Sequence, residues 1–188
     1  MSKKPARSPV TASDRSRSPA ASDRVRLEIE FEKVYLLGAL FGEHDQNLIT
    51  LEGQLGVYIS ARGNKVQIEG EADAAARARD VLTSLYNRLS HGEKIDTGDV
   101  VGTVAIAADP SLDGLVSAEG GMAQTAVIRT RRKTIAARSP TQVRYIEALA
   151  RDSIIFALGP AGTGKTYLAV AQAVSQLIAG SVDRLILS

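Results

Sequence analysis

Cysteine and tryptophan do not occur among the 188 residues, only two residues are histidine, and aromatic side chains make up 4% of the chain. The lack of cysteine excludes a disulfide framework and thiolate metal sites. Two isolated histidines, His44 and His91, without carboxylates at ligand spacing make no metal centre, and no role is assigned to them. No apolar run approaches the roughly 20 residues needed to span a bilayer, and the N-terminus lacks the apolar core of a signal peptide. A cytoplasmic protein without a membrane partner is the expectation. What the chain does have is an apolar content of 44%, ordinary for a globular protein, and room for one domain or two small ones.

The formal net charge of +2 hides four regions of different sign. Residues 1–24 carry 6 Lys/Arg and 2 Asp/Glu, residues 25–128 carry 8 and 16, residues 129–144 carry 6 and 0, and the remainder 3 and 3. Contacts with nucleic-acid phosphate are therefore expected at the basic segment 129–144 and the N-terminal tail, and not in the acidic middle. The tail, 1–23, interleaves Ser, Arg, Pro and Ala without apolar periodicity, so it is expected to be disordered. A solvated leader is its plain reading and a nucleic-acid-binding arm the sharper one.

Alternation begins at Arg24. Val25, Leu27 and Ile29 share one face and Arg26, Glu28 and Glu30 the other, which predicts a strand. A short apolar helix over 34–41, a break at Gly42-Glu43-His44-Asp45 and a second helix from a cap at Asn47 to Leu55 follow. Two strands then flank a hairpin turn at Gly63-Asn64. Over 71–90, Ala75, Ala78, Leu82, Leu85 and Leu89 recur at helical spacing until His91-Gly92. The order, β-α-α-β-β-α, resembles the KH fold, and 24–92 is expected to be a KH-like α+β module. That fold holds single-stranded nucleic acid at a Gly-x-x-Gly break, whose position here would be 42–45. Asp45 replaces the second glycine and Glu43 adds negative charge, so a packing or interaction module is favoured over a working RNA clamp.

Residues 93–139 read as a connector with a basic segment, in which 93–128 has room for one short helix and 126–137 for two short strands around the charged turn 129–133. A solvated basic loop and a nucleic-acid or partner contact both remain open for that turn.

Residues 140–188 hold the most specific signal. An apolar run over 153–158 has the length and composition of a central parallel strand. It leads into Gly159-Pro160-Ala161-Gly162-Thr163-Gly164-Lys165-Thr166, which matches Gly-x-x-x-x-Gly-Lys-Ser/Thr, and then into an apolar helix over 167–179 closed by Gly180. The glycines let the backbone wind around an anion, with N–H groups and the positive end of the helix dipole turned toward phosphate. Lys165 is expected to reach the β and γ phosphates, and the Thr166 hydroxyl to ligate Mg²⁺, which makes these two the candidate catalytic residues and Thr166 the candidate metal ligand. The pattern arises by accident on the order of once per hundred chains of this length, and the strand and helix around it reduce that further. Pro140 can open a helix with Gln142 near its start. A glutamine amide offers the donor and acceptor that read the N6 and N7 edge of adenine; a polar first-turn residue is the equally simple reading.

The run Gln142-Val-Arg-Tyr-Ile146, then Ile154-Ile-Phe, then 159–170 resembles the nucleotide domain of the PhoH family, and Leu40-Phe41-Gly42-Glu43 and Arg62-Gly63-Asn64 resemble its KH-like module. The resemblance implies ATP binding, kinship to superfamily 1 helicases, a role tied to RNA, and an adenine contact at Gln142. A member of that family would continue past a second apolar strand at 182–188 into an acidic strand that holds Mg²⁺ and activates water. A partial chain is thus expected: an α/β protein in which the KH-like module precedes the start of a parallel P-loop NTPase domain. Its parent is expected to be an ATP hydrolase acting on RNA or ribonucleoprotein. The alternative is a nucleotide-regulated adaptor for RNA or protein without hydrolysis, and a homo-oligomer is compatible with either. A small-molecule kinase is the third reading.

Overall fold

The structure is a computed structural model that describes residues 24–112, 114–117, 121–122 and 126–188. The tail 1–23, and with it the expectation of disorder there, lies outside the described residues.

Strand β1, Arg24–Glu30, shows the expected alternation, with Val25, Leu27 and Ile29 half-buried and the residues between them exposed. Two short helices follow, α1 (Leu37–Phe41) and α2 (Gln46–Leu55), then strands β2 (Tyr58–Arg62) and β3 (Lys65–Glu71) and the long helix α3 (Ala72–Ser90). The strands form one antiparallel sheet in the order β1-β3-β2, so the hairpin partner β3 lies in the centre. Gly63 at the hairpin turn has φ +64°, the left-handed value such a two-residue connection requires. The core forms where Ile59, Val66 and Ile68 meet Ala75, Ala78, Val81, Leu82 and Leu85 of α3 and Leu40 and Leu51 of α1 and α2. Phe31 and Tyr86 close one end with ring centroids 4.6 Å apart, and the Tyr86 hydroxyl accepts from the Lys33 N–H at 2.8 Å.

The break between α1 and α2 differs from expectation in one detail. Helix α2 starts at Gln46, so Asn47 is a buried first-turn residue and not the cap. Its side-chain amide donates to the Leu40 carbonyl at 3.0 Å, filling an acceptor that the end of α1 leaves open. A side chain at Gly42 (φ +76°) would strain the backbone and displace the Asn47 amide, whose nitrogen would lie 2.9 Å from the added Cβ. His44 and Asp45 also take left-handed φ values, +53° and +58°.

Beyond α3 a further helix, α4 (Thr97–Ala107), fills the region read as connector. It packs against α2 and α3 and buries Val100, Val104 and Ile106. An Asp96–Asp99 capping box starts it: each carboxylate accepts from the other residue's N–H at 3.0 Å. Short strands β4 (Val116–Ser117) and β5 (Gly121–Met122) pair with each other, as do β6 (Val127–Arg129) and β7 (Thr134–Ala136) on either side of the basic turn. Helices α5 (Pro140–Arg151) and α6 (Lys165–Ile178) complete the chain and pack on one another.

The overall class is mixed α/β with small sheets. The parallel sheet expected after residue 150 is not formed among the described residues. Residues 153–158 and 182–188 form no strand and pair with nothing among the described residues, and Ile154, Phe156, Leu158, Ile186 and Leu187 stand exposed. The physical reason is that a strand exists only through a neighbour that takes its N–H and C=O groups; composition can suit a segment to a sheet without supplying that neighbour. No helix among the described residues is long and apolar enough to cross a membrane.

Candidate nucleotide site

Each end of the site is positioned by helix chemistry. At α5, Ser139 caps the helix by accepting from the Gln142 N–H at 3.2 Å, and Pro140 occupies the first position, where no N–H is needed. At α6, Gly164 is the residue before the helix and has φ +83°, which only glycine adopts cheaply; Gly162 has φ +80°. These turns fold 159–164 into a loop closed by its own lysine. The Lys165 ammonium donates to the Gly159 carbonyl at 2.9 Å, to the Pro160 carbonyl at 2.5 Å and to the Thr163 hydroxyl at 3.1 Å. All three of its N–H donors are thereby held over the loop by neutral oxygens. A phosphate oxygen, which carries charge of its own, is a stronger acceptor for an ammonium than these neutral oxygens. The first-turn N–H groups of α6 add donors without intrahelical partners. The loop therefore fits a phosphate group. Thr166 is exposed on the first turn.

Gln142 reaches this loop from α5. Its carboxamide nitrogen donates to the Thr163 carbonyl at 3.2 Å and its oxygen accepts from the Arg138 N–H at 2.7 Å. The Tyr145 hydroxyl donates to the Lys165 carbonyl at 3.4 Å, a further tether between the helices. Beside Gln142 opens a cleft of about 780 Å³, bounded by the α3–α4 connection, the basic turn between β6 and β7, and the start of α6 at Gly164 and Tyr167. Among the described residues no cluster of three or more His, Cys, Asp or Glu side chains could hold a metal ion by itself.

An ion network backs the cleft, and sequence reasoning missed it. Asp99, 3% exposed, accepts from Arg88 of α3 and from Arg138, each at 3.1 Å. Arg138 also meets Asp96 at 2.9 Å, and Arg88 meets Glu93 at 2.8 Å. Burial pushes the Asp96 carboxyl up, but the Asp99 N–H and the Arg138 guanidinium outweigh it and hold the carboxyl below its ordinary value. For Arg138 burial lowers and the two carboxylates raise, with a net upward shift. Removing one partner from a pair as enclosed as Arg88–Asp99 costs about 3–5 kcal/mol. The Asp96-x-x-Asp99 spacing was the available signal, since it is the form of a capping box. In the segment 129–144 the network claims Arg138, and Asp109 claims Arg144 at 2.8 Å, while Ser111 pulls the Asp109 carboxyl below its ordinary range, helped by Arg144. Arg129, Arg131, Arg132 and Lys133 stay exposed, with no ion pair among the described residues.

The sequence matches the family model described as PhoH-like protein over residues 134–188. The PhoH-like protein of Mycobacterium tuberculosis (strain H37Rv) is 35% identical over 178 residues, 94% of this chain and 49% of the relative. The PhoH-like protein of Bacillus subtilis (strain 168) is 32% identical over 151 residues, 80% of this chain and 46% of the relative. The chain belongs to the PhoH family. Protein PhoH of Escherichia coli (strain K12) is 39% identical over a shorter span, 71 residues or 37% of this PhoH-family chain and 20% of the relative. The chain spans about half the length of the first two relatives. No solved structure matches it.

Proposed function

We propose that this chain binds ATP in the loop Gly159–Thr166 and belongs to an ATPase that acts on RNA or ribonucleoprotein. The observation that carries the reading is the position of the Lys165 ammonium, held across the loop by three oxygens of residues that no longer need it once phosphate arrives. In this reading Lys165 holds the β and γ phosphates, the loop N–H groups surround them, and Gln142 meets the adenine edge from the wall of the adjoining cleft. The Thr166 hydroxyl is the ligand for Mg²⁺, which when bound offsets phosphate charge. The test is calorimetric titration of ATP into the chain and into Lys165→Ala. Equal affinity for both would remove the site, and turnover that no RNA stimulates in the longer protein would remove the RNA half.

We read residues 24–92 as a KH-like module, supported by the element order and by the sheet order β1-β3-β2 with β3 in the centre. Its turn at 42–45 presents Glu43 and Asp45, which favours packing or partner contact over phosphate binding. The RNA contact then falls on Arg129, Arg131, Arg132 and Lys133. The adaptor reading, in which nucleotide alters contacts without being hydrolysed, is favoured by one observation: the basic turn and Gln142 line the same cleft. RNA affinity that changes with ATP while ATP stays intact would establish it.

A further inference from the structure

The adenine contact assigned above to Gln142 requires its carboxamide to face the base in one orientation. A glutamine amide has two oxygen lone pairs and two N–H donors. The Arg138 N–H takes one lone pair and the Thr163 carbonyl takes one N–H, which leaves one acceptor and one donor for a base. Adenine presents a donor at N6 and an acceptor at N7, whereas guanine presents acceptors at O6 and N7. A free amide would turn its nitrogen toward guanine. This one cannot, because a flip would set its NH₂ against the Arg138 N–H and its oxygen against the Thr163 carbonyl.

The orientation is therefore only as firm as the residue 138 peptide. That peptide is held from two directions. Its side chain is anchored on Asp99 and Asp96. Its main chain lies against Gly102 of α4, where an added Cβ would come within 2.7 Å of the Arg138 carbonyl oxygen and 2.8 Å of its Cα. Asp99 is itself fixed by Arg88, in the last turn of α3.

We propose that Asp99 and Arg138 are positioning residues for base selection: through the residue 138 N–H they hold the Gln142 carboxamide in the orientation that accepts adenine and rejects guanine. This rests on the ATP reading above. Neither residue needs to touch the base, and the N-terminal half of the chain, by way of Arg88 and Asp99, contributes to the choice of nucleotide.

The experiment is titration of ATP and GTP into the chain and into Asp99→Asn and Arg138→Lys. It is joined to the side-chain amide resonance of Gln142 in the unliganded protein, assigned by its loss in Gln142→Ala. One well-made bidentate pair predicts a preference for ATP of about tenfold or more. Both variants should bring it toward parity, mainly by weakening ATP, and should shift the Gln142 resonance. A merely structural role would weaken both nucleotides alike. An unchanged ATP-to-GTP ratio, or an unmoved resonance, in either variant that remains folded overturns the inference and leaves ATP binding standing. Binding of neither nucleotide by the unaltered chain overturns the ATP reading and the inference with it. Arg138→Lys keeps the test open if Asp99→Asn fails to fold, since the Arg138 side chain is half-exposed.

Discussion

The Nζ of Lys165 lies 2.9 Å from the carbonyl oxygen of Gly159, six residues before it, so the side chain bridges the loop that its own residue ends. Removing the ammonium takes away charge-assisted hydrogen bonds worth about 1.5–3 kcal/mol each. Lys165→Ala should weaken ATP at least about tenfold, as read by titration, while leaving thermal stability nearly unchanged because the loop is exposed. A large loss of stability with affinity retained would contradict this.

Two glycines on helices should respond in opposite directions. Gly102 is buried against the Arg138 main chain, so Gly102→Ala forces a backbone shift and should destabilise by about 1–3 kcal/mol. Gly53 is exposed in α2, and a methyl group added there would have no neighbour within 4 Å, so Gly53→Ala should stabilise by about 0.5–1 kcal/mol. Urea unfolding of the two variants measures both.

Asp96 predicts the acid limb of stability. Its folded pKa lies below the ordinary 3.8, so its contribution is complete above that value and is lost as pH falls through the depressed one. The groups facing it are Arg138 and Asp99, and Arg138 stays charged throughout. In Asp96→Asn the fall in melting temperature below about pH 4 should be shallower than in the unaltered chain. Parallel curves would remove Asp96 as a contributor.

Arg131 and Arg132 project from the β6–β7 turn without ion-pair partners among the described residues, beside the cleft that Gln142 lines. If they neutralise RNA phosphate, the double change to alanine should weaken a single-stranded RNA and reduce the slope of log affinity against log salt by roughly 0.7 for each phosphate no longer neutralised. Arg144→Ala, which removes a residue paired with Asp109, should alter that slope much less.

Local chemistry was legible in the sequence wherever it was written in neighbouring residues. The alternation of Val25, Leu27 and Ile29, the Gly63-Asn64 turn, the helical spacing of Ala75 to Leu89 and the start of α5 at Pro140 all come from periodicity or from residue types with fixed backbone preferences. The glycine turns of the 159–164 loop and the helix that follows were legible for the same reason. Helix α4 was legible only as one short helix somewhere in the connector, because Gly98, Gly102 and Thr103 are poor helix formers; burial against α2, α3 and the Arg138 main chain outweighs their propensity. The strand expected over 153–158 failed in the other direction, since apolar composition cannot supply a ladder partner. Arg138 was marked only as one of the charges of the basic segment 129–144. Its importance comes from Asp96 and Asp99, some forty residues earlier, and only the fold brings them together.

Helix α4 is pressed by α2 and α3 on one side and by the Arg138 main chain on the other. A seam cut at residue 92 therefore runs through packed side chains. A chimera that took residues 24–92 from a relative would set a foreign surface against α4, and one that took residues 97–188 would set a foreign α4 against the old sheet module. Recombination that exchanges only one of the surfaces meeting at this shared helix carries a penalty that neither part shows alone.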